Sequence, residues 1–286
     1  MNAIPPVRST MTSSSNPLFQ EKYDFIFSIG EACSCSSTLR NAGLQHRSMP
    51  FDWVARPSLV ERAKLFHDNF QNWLPKEAME CVGKQLIEKK PKLIYRNTIT
   101  GTVFNHDFPL DVPFEEAYPI VKARHDRRIA RLYETIRSSR SVLMVNLAPP
   151  NETKDQSNED LVAAQKIVSD YFPGVKIHLL HVFNKDDIAL EDAEVETPAP
   201  GVFTLKFCYN AFNPEVPHLV NDDILYRLFH KIRLSSRHLT FIDSLNKWSA
   251  QHPILNFFFR SRITRNGMQT IEVLRIRICR IKAKKS

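Results

Sequence analysis

A cysteine follows a glycine turn near the start of the chain, in a position that suits a reactive thiol. The apolar stretch Phe25-Ile26-Phe27 leads through Ser28 and Gly30 to Cys33, which opens a predicted helix. A helix N-terminus carries unpaired N–H groups and a partial positive charge, so it favours thiolate over thiol. We therefore predict Cys33 as a nucleophile; the alternative is a small residue that fills a strand–helix corner. Ser28 and Gly30 are predicted to shape an anion hole, although Gly30 also suits a turn with positive φ.

His106 is the histidine that best fits a general base for this thiol. It follows Thr102–Phe104, a predicted strand, and is therefore expected at a strand end, as Cys33 is. The base must be close to the nucleophile in space, and separation in sequence is no obstacle. Asp52 and Asp107 compete to orient the imidazole. Asp52 is preferred, because it lies between Phe51 and Trp53 and is expected to be buried, where a carboxylate needs a partner. Asp107 adjoins His106, and neighbouring side chains of an extended chain point apart.

A predicted helix over residues 115–137 carries a row of arginines. Arg124, Arg128 and Arg131 stand at i, i+4 and i+7, so they share one face. Arg128 and Arg131 are predicted to bind a carboxylate or phosphate of a substrate. The alternative is a solvated helix face, and His125 on the same helix is expected to be exposed.

These residues occur in an order that resembles a known family. The motifs are Ser28-x-Gly30-x-x-Cys33, Leu39-Arg40, Pro50-Phe51-Asp52-Trp53, His106-Asp107-Phe108 and Arg127-Arg128-x-x-Arg131. Together they resemble a bacterial family of unknown function described as papain-like cysteine peptidases, over residues 23–232. The resemblance implies that Cys33 attacks an acyl carbonyl while His106 acts as base and then as acid.

The order of predicted elements sets the expected architecture. Strands and helices alternate over residues 23–232, which predicts an α/β fold with a three-layer, mostly parallel sheet and helices on both faces. Further helices are predicted over 58–73 and 158–171, and the acidic, proline-bearing residues 184–201 are predicted to form a surface loop. In such sheets the active site lies beyond the carboxyl ends of the strands. The predicted organisation is a disordered N-terminus over 1–20, the α/β domain over 21–234, and a basic C-terminal extension over 235–286.

Composition excludes several classes of protein. The chain of 286 residues is 43% hydrophobic and 24% charged, as soluble globular proteins are. Residues 1–20 lack the apolar core of a secretory signal and no apolar run could span a membrane, so a cytoplasmic protein is expected. Five scattered cysteines argue against a disulfide framework. Neither a glycine-rich phosphate loop nor a metal-spaced histidine–carboxylate cluster is present, so we expect no cofactor and no metal.

The net charge of +8 is concentrated at the C-terminus. From Pro253 onward nine Lys and Arg residues face one Glu, so the preceding residues are neutral overall and a nucleic-acid partner is not expected. Asn266-Gly267 predicts a hairpin turn, and Leu274–Ile278 alternates apolar residues with arginine. The tail is therefore predicted to be hairpin-like and to contact an anionic surface, such as the inner membrane, or an acidic partner. The alternative is a strand edge protected by charge.

Three functions remain open from the sequence. The first is a thiol-dependent peptidase or related amide hydrolase. The second is an acyltransferase or esterase that acts on a glycan-linked acyl group in bacterial surface-polysaccharide biosynthesis, because the basic tail resembles those of enzymes in that process. The third is a non-catalytic α/β binding module in which Cys33 is structural. The reactivity of Cys33 separates the enzymes from the binding module.

Overall fold

The computed structural model describes residues 7–10, 16–30, 32–87, 90–148, 155–185, 194–207, 223–240, 243–244, 259–263, 268–273 and 276–282. The helices are α1 (Pro17–Gln20), α2 (Ala32–Asn41), α3 (Leu59–Lys64), α4 (Phe114–Arg137), α5 (Asn158–Tyr171) and α6 (Asp223–Lys231), with short 3-10 helices at Pro50–Trp53 and Lys76–Ala78. The strands are β1 (Val7–Thr10), β2 (Lys22–Tyr23), β3 (Phe25–Gly30), β4 (Val54–Ala55), β5 (Met79–Ile87), β6 (Lys90–Asn97), β7 (Val103–Pro109), β8 (Ser141–Leu147), β9 (Lys176–Asn184), β10 (Glu194–Ala199), β11 (Val202–Phe207), β12 (Arg233–Leu234), β13 (Phe259–Ile263), β14 (Met268–Val273) and β15 (Ile276–Lys282).

Six of the described strands form the central sheet, in the order β1-β10-β11-β9-β8-β3. Strands β3, β8, β9 and β11 run parallel to one another, whereas β10 is antiparallel to β11 and β1 is antiparallel to β10. Alternate residues of β3 enter different hydrophobic clusters: Phe27 packs with residues of α4 and α5, and Ile26 with residues of α2 and α6. Burial on both faces explains why these strands are continuously apolar in sequence.

A second sheet departs from the predicted mostly parallel arrangement. Strands β4, β7, β6 and β5 form an antiparallel sheet, so the molecule is a mixed α/β protein with more than one sheet. The links between β5, β6 and β7 are too short to hold the crossover that parallel pairing requires. His106 lies inside β7 rather than beyond a strand end, so the expectation that it leaves the same sheet edge as Cys33 is wrong.

Helix α3 ends much earlier than the apolar pattern of residues 58–73 predicts. Asn69 and Phe70 adopt positive φ values of 51° and 58°, which no helix accommodates. The rings of Phe70 and Trp73 instead pack around Phe51. Aromatic packing against the Pro50–Trp53 helix therefore replaces further helical turns.

The two ends of the chain contribute more structure than the sequence predicts. In the segment predicted to be disordered, β1 pairs with β10 and Leu18 of α1 is fully buried. Near the predicted boundary at 234, Ser235 Oγ donates to Asp24 Oδ1 at 2.8 Å. In the tail, β13 pairs antiparallel with β14 and β14 with β15, while the predicted turn at Asn266-Gly267 lies outside the described residues. Among the described helices, none is both long and apolar enough to cross a membrane.

Candidate active site

Strand β3 delivers Cys33 through a glycine turn, as the sequence predicts. Gly30 has a φ of +108°, a conformation that side chains rarely adopt, and α2 begins at Ala32. Cys33 therefore lies in the first turn of α2, where it is 4% exposed. The N–H of Gly30 donates to Ser28 Oγ at 3.0 Å, and the N–H of Ser28 donates to Gln45 Oε1 at 3.0 Å. Ser28 and Gly30 thus shape the turn, but their own N–H groups are already used.

A buried arginine lies directly against this turn. A Cβ at Gly30 would come within 3.2 Å of both Cζ and Nε of Arg62. The Arg62 side chain donates to Pro57 O at 2.7 Å and to Asn146 Oδ1 at 2.9 Å. A buried cation beside the turn adds to the helix terminus in favouring negative charge there.

Asp52 holds together the loop that precedes the Pro50–Trp53 helix. It is fully buried and accepts hydrogen bonds from the N–H of Met49 at 2.9 Å and from Gln45 Nε2 at 2.8 and 2.9 Å. Arg40 Nη2 lies 2.5 Å from Oδ2. Burial raises the pKa of Asp52, and Arg40 and Gln45 oppose that rise. Gln45 also joins this carboxylate to the N–H of Ser28, so Asp52 and the glycine turn belong to one network.

The Pro50–Trp53 helix links Cys33 to His106. Ser36 Oγ lies 3.2 Å from the carbonyl of Cys33 and 3.3 Å from the carbonyl of Asp52. The next residue, Trp53, packs its ring against the half-buried His106 at 5.3 Å between centroids. The guanidinium of Arg40 lies 5.2 Å from the centre of the same indole. Ser36 therefore connects the first turns of α2 with this short helix, and Trp53 of the same helix contacts His106 of β7.

Asp107 orients a histidine other than His106. It is buried, its Oδ1 lies 2.6 Å from Arg124 Nη2, and its Oδ2 lies 3.3 Å from His125 Nε2. Burial by itself would raise the pKa of Asp107, but His125, Arg124 and Arg128 hold it well below its usual value. His125 is fully buried, so the expectation that it is exposed is wrong. Trp73 Nε1 donates to His125 Nδ1 at 3.0 Å, whereas His125 Nε2 and Asp107 Oδ2, although 3.3 Å apart, form no hydrogen bond.

Arg128 and Arg131 lie in different surroundings although they share a helix face. Asp107 and Asp52 both act electrostatically on Arg128, and burial lowers its pKa. Arg131 donates to Ser48 O at 3.1 Å and lines a separate cavity of about 190 Å³ with Arg47 and His238. Asp52 also acts electrostatically on Arg131, so what distinguishes Arg128 is the additional effect of Asp107, which follows His106 in β7.

The other cysteines with described surroundings differ from Cys33. Cys35 is fully buried, its Sγ lies 3.3 Å from Val145 O, and burial raises the pKa of its thiol to about 12. Cys81 is exposed on β5. Cys208 lies outside the described residues, and the side chain of Cys279 is not described.

A polar network at the ends of the parallel strands was not predicted from the sequence. Asn146, near the end of β8, joins Arg62 to His181 Nδ1, and His181 Nε2 lies 2.9 Å from Asp155. Lys206 Nζ lies 2.6 Å from the other oxygen of Asp155. His181 is fully buried, as expected of a core histidine, and both of its nitrogens have partners. A polar Asn146 in an otherwise apolar strand was the available signal. Among the described residues, no group of His, Cys, Asp and Glu could hold a metal ion.

Fold and site together define a mixed α/β protein with a candidate thiol nucleophile at the start of a helix. The model of the family described as "Putative papain-like cysteine peptidase (DUF1796)" matches residues 24–183. That span is more than half of the chain and includes Cys33, Asp52, His106 and Arg128, and the chain belongs to this family.

One relative and the solved structures complete the comparison. The chain is similar to the uncharacterized protein R408 of Acanthamoeba polyphaga mimivirus, with 26% identity over 150 residues. The match covers 47% of this chain and 67% of the viral protein. This relative comes from a virus, so it gives no support to the bacterial origin expected from the sequence. No solved structure matches the chain.

Proposed function

We propose that the chain is a thiol-dependent hydrolase that cleaves a peptide or related amide through Cys33 and His106. The observation that carries the proposal is that the Pro50–Trp53 helix contacts both the cysteine helix α2 and His106. The hydroxyl of Ser36 in α2 lies within hydrogen-bond distance of the main-chain carbonyls of Cys33 and Asp52, and the ring of Trp53 packs on His106. Family membership supports the same reaction class.

The proposed reaction uses an acyl-enzyme. His106 takes the thiol proton, and the Cys33 thiolate attacks the acyl carbon to form a C–S bond. The oxyanion is met by the N-terminal turn of α2, because the N–H groups of Ser28 and Gly30 already have acceptors. The C–N bond then breaks, the leaving amine takes the proton from His106, and water hydrolyses the thioester.

Asp52 has a positioning role in this proposal. Its carboxylate fixes Met49, Gln45 and Arg40, and so holds the short helix that carries Trp53 against His106. Orientation of His106 by Asp52 is therefore proposed to act through Trp53.

An acyltransferase or esterase would share the first half of this reaction. The thioester would then be attacked by a glycan hydroxyl, or the cleaved bond would be an ester, as in surface-polysaccharide biosynthesis. The basic tail supports this second candidate, because the pairing of β13, β14 and β15 brings several cationic positions into one small sheet. Thr270 pairs with both Arg262 and Arg280, and Met268 pairs with Lys282. Such a surface is proposed to bring a cytoplasmic enzyme to an anionic membrane.

Selective alkylation tests the thiol proposal. Cys81 is exposed and Cys33 is 4% exposed, so accessibility alone predicts that iodoacetamide modifies Cys81 first. Activation predicts the reverse order near neutral pH, with Cys35 unmodified and the rate at Cys33 reduced in His106→Asn. Mass spectrometry of wild type and Cys81→Ser gives the order of labelling. Faster modification of Cys81 than of Cys33 overturns the proposal in favour of a binding module.

A further inference from the structure

We propose that the candidate site takes substrates that carry an anionic group, carboxylate or phosphate, and that Arg128 binds this group. The inference rests on the proposed function for Cys33 and His106, and it adds the class of substrate.

The two carboxylates of this region already have their own cations. Arg40 lies 2.5 Å from Asp52, which also takes hydrogen bonds from Gln45 and Met49. Arg124 lies 2.6 Å from Asp107, which also faces His125. Each carboxylate is thus paired with an arginine other than Arg128, while the buried Oδ2 of Asp107 has no hydrogen-bond partner among the described residues.

Arg128 is the third cation beside these two anions. Its Nη1 is buried and has no hydrogen-bond partner among the described residues. A guanidinium stays charged at any ordinary pH, so it cannot escape burial by losing a proton. A buried polar group without a partner is unfavourable, and a charged one more so, which indicates that a further acceptor belongs in this place.

The position of Arg128 connects this acceptor with catalysis. Asp52 precedes Trp53, whose ring packs on His106, and Asp107 follows His106 in β7. Arg128 follows Arg124 by one turn of α4, and Arg124 Nη2 lies 2.6 Å from Asp107 Oδ1, so Arg128 lies on the face of α4 that meets β7. The electrostatic effect of both carboxylates on Arg128 agrees with this position. Planar guanidinium groups bind carboxylate or phosphate through paired hydrogen bonds, so an anionic group on the substrate would complete the arrangement.

Two alkylating reagents of similar size, one anionic and one neutral, test the inference. Iodoacetate carries a carboxylate and iodoacetamide does not, so the ratio of their rates at Cys33 reports the preference for an anion. The ratio is expected to fall about fivefold in Arg128→Gln, as for the loss of one charge at close range. Arg128→Lys keeps the charge and should retain part of the ratio. The control is Arg127→Gln, which removes an exposed charge from the same helix and should leave the ratio unchanged.

Thermal melting supplies a second readout that does not need a reactive thiol. Phosphate or succinate, compared with chloride at constant ionic strength, should raise the Tm of wild type and of Arg127→Gln but not of Arg128→Gln. If only one of the two anions raises the Tm of wild type, that result identifies whether the site prefers phosphate or carboxylate.

The outcomes separate this inference from the proposed function. If Cys33 is modified readily but with the same ratio in wild type and Arg128→Gln, and neither anion shifts the melting of wild type more than that of the variant, Arg128 is no anion site and the thiol enzyme stands. If Cys33 resists both reagents, the proposed function falls, and the claim about substrates falls with it.

Discussion

At the residue scale, Gly30 shows how a single backbone conformation sets up the candidate site. Its φ of +108° and its contact with Arg62 both exclude a side chain. Gly30→Ala is expected to lower the free energy of unfolding by about 1–3 kcal/mol, because of backbone strain, and to slow alkylation of Cys33. Urea unfolding and mass spectrometry measure the two effects.

Substitutions at two other glycines separate the effect of backbone strain from the effect of the contact with Arg62 on the free energy of unfolding. Gly101 has a φ of +72° with open space around it, so Gly101→Ala reports strain alone. Gly83 has open space and no positive φ, so Gly83→Ala should be nearly neutral. The interpretation fails if Gly30→Ala is no more destabilising than Gly83→Ala.

Asp52 gives a second prediction at this scale. Asp52→Asn leaves Arg40 facing a neutral amide in a buried loop, and is expected to destabilise the protein by about 3 kcal/mol. The matched control is Asp126→Asn, which removes an exposed pair with Lys122 and should cost about 0.5 kcal/mol. Chemical denaturation compares the variants with wild type. Equal losses in both would show that the Asp52 network does not hold the loop.

The residues of the site could be predicted only in part. Local signals placed Cys33 at a helix start and indicated that Asp52, between two aromatic residues, is buried. The partners of Asp107 depend on contacts between β7 and α4, which no local pattern encodes. For the same reason, the sequence could not show that Nη1 of the half-buried Arg128 lacks a hydrogen-bond partner, or that Arg62 lies against Gly30.

At the element scale, Asp24 ties together the beginnings of two parallel strands. Its carboxylate accepts from the N–H, Nε and Nη2 of Arg140, just before β8, and from Ser235 Oγ. The hydrogen bonds from Arg140 hold the pKa of Asp24 far below its usual value. Below about pH 4, Asp24 therefore becomes protonated in the unfolded chain but stays ionised in the native state, so stability falls as the pH is lowered.

Removing the charge of Asp24 should remove this part of the acid sensitivity. Asp24→Asn is expected to lower the free energy of unfolding by about 2 kcal/mol at pH 7, because it weakens buried hydrogen bonds to a charged group. The difference from wild type should shrink as the pH falls from about 4 toward 2. Urea unfolding at several pH values measures this, with Asp170→Asn, in an exposed pair with Lys166, as the control. A difference that stays constant with pH would contradict the role given to Asp24.

The elements were predicted best where they are long and periodic. The expected bounds of α4 and α5 nearly coincide with the structure, and the four parallel strands appear as apolar runs in the sequence. The antiparallel pairing of β10 with β11 was missed because its residues are acidic and proline-bearing, as surface loops are. Helix α3 was predicted to be too long because the spacing of Phe66 and Phe70 is helical, while packing against Phe51 determines the chain path.

At the scale of the whole molecule, charge separates the α/β part of the chain from its tail. Residues before Pro253 carry no net charge, and the tail carries the whole excess of +8. In the tail sheet Glu272 pairs with Arg260 on one side and with Arg277 on the other. Arg262 and Arg280 both pair with Thr270, and Lys282 pairs with Met268. The sequence showed the alternation of basic and apolar residues, but only the register shows which basic positions of the three strands correspond.

The excess of basic residues in the tail predicts reversible binding to anionic membranes. Each basic residue near such a surface contributes about 1 kcal/mol, so several suffice to hold a protein there. Sedimentation with vesicles should show that the full chain binds anionic lipid, that a chain ending at Gln251 binds at least tenfold less, and that added salt weakens the interaction. Because truncation could disturb folding, Arg277→Glu/Arg280→Glu in the full chain is the second variant, and it should lose binding without a change in Tm. Equal binding by all three proteins, or binding that ignores lipid charge, would assign these arginines to the alternative role of preventing strand pairing at an exposed edge.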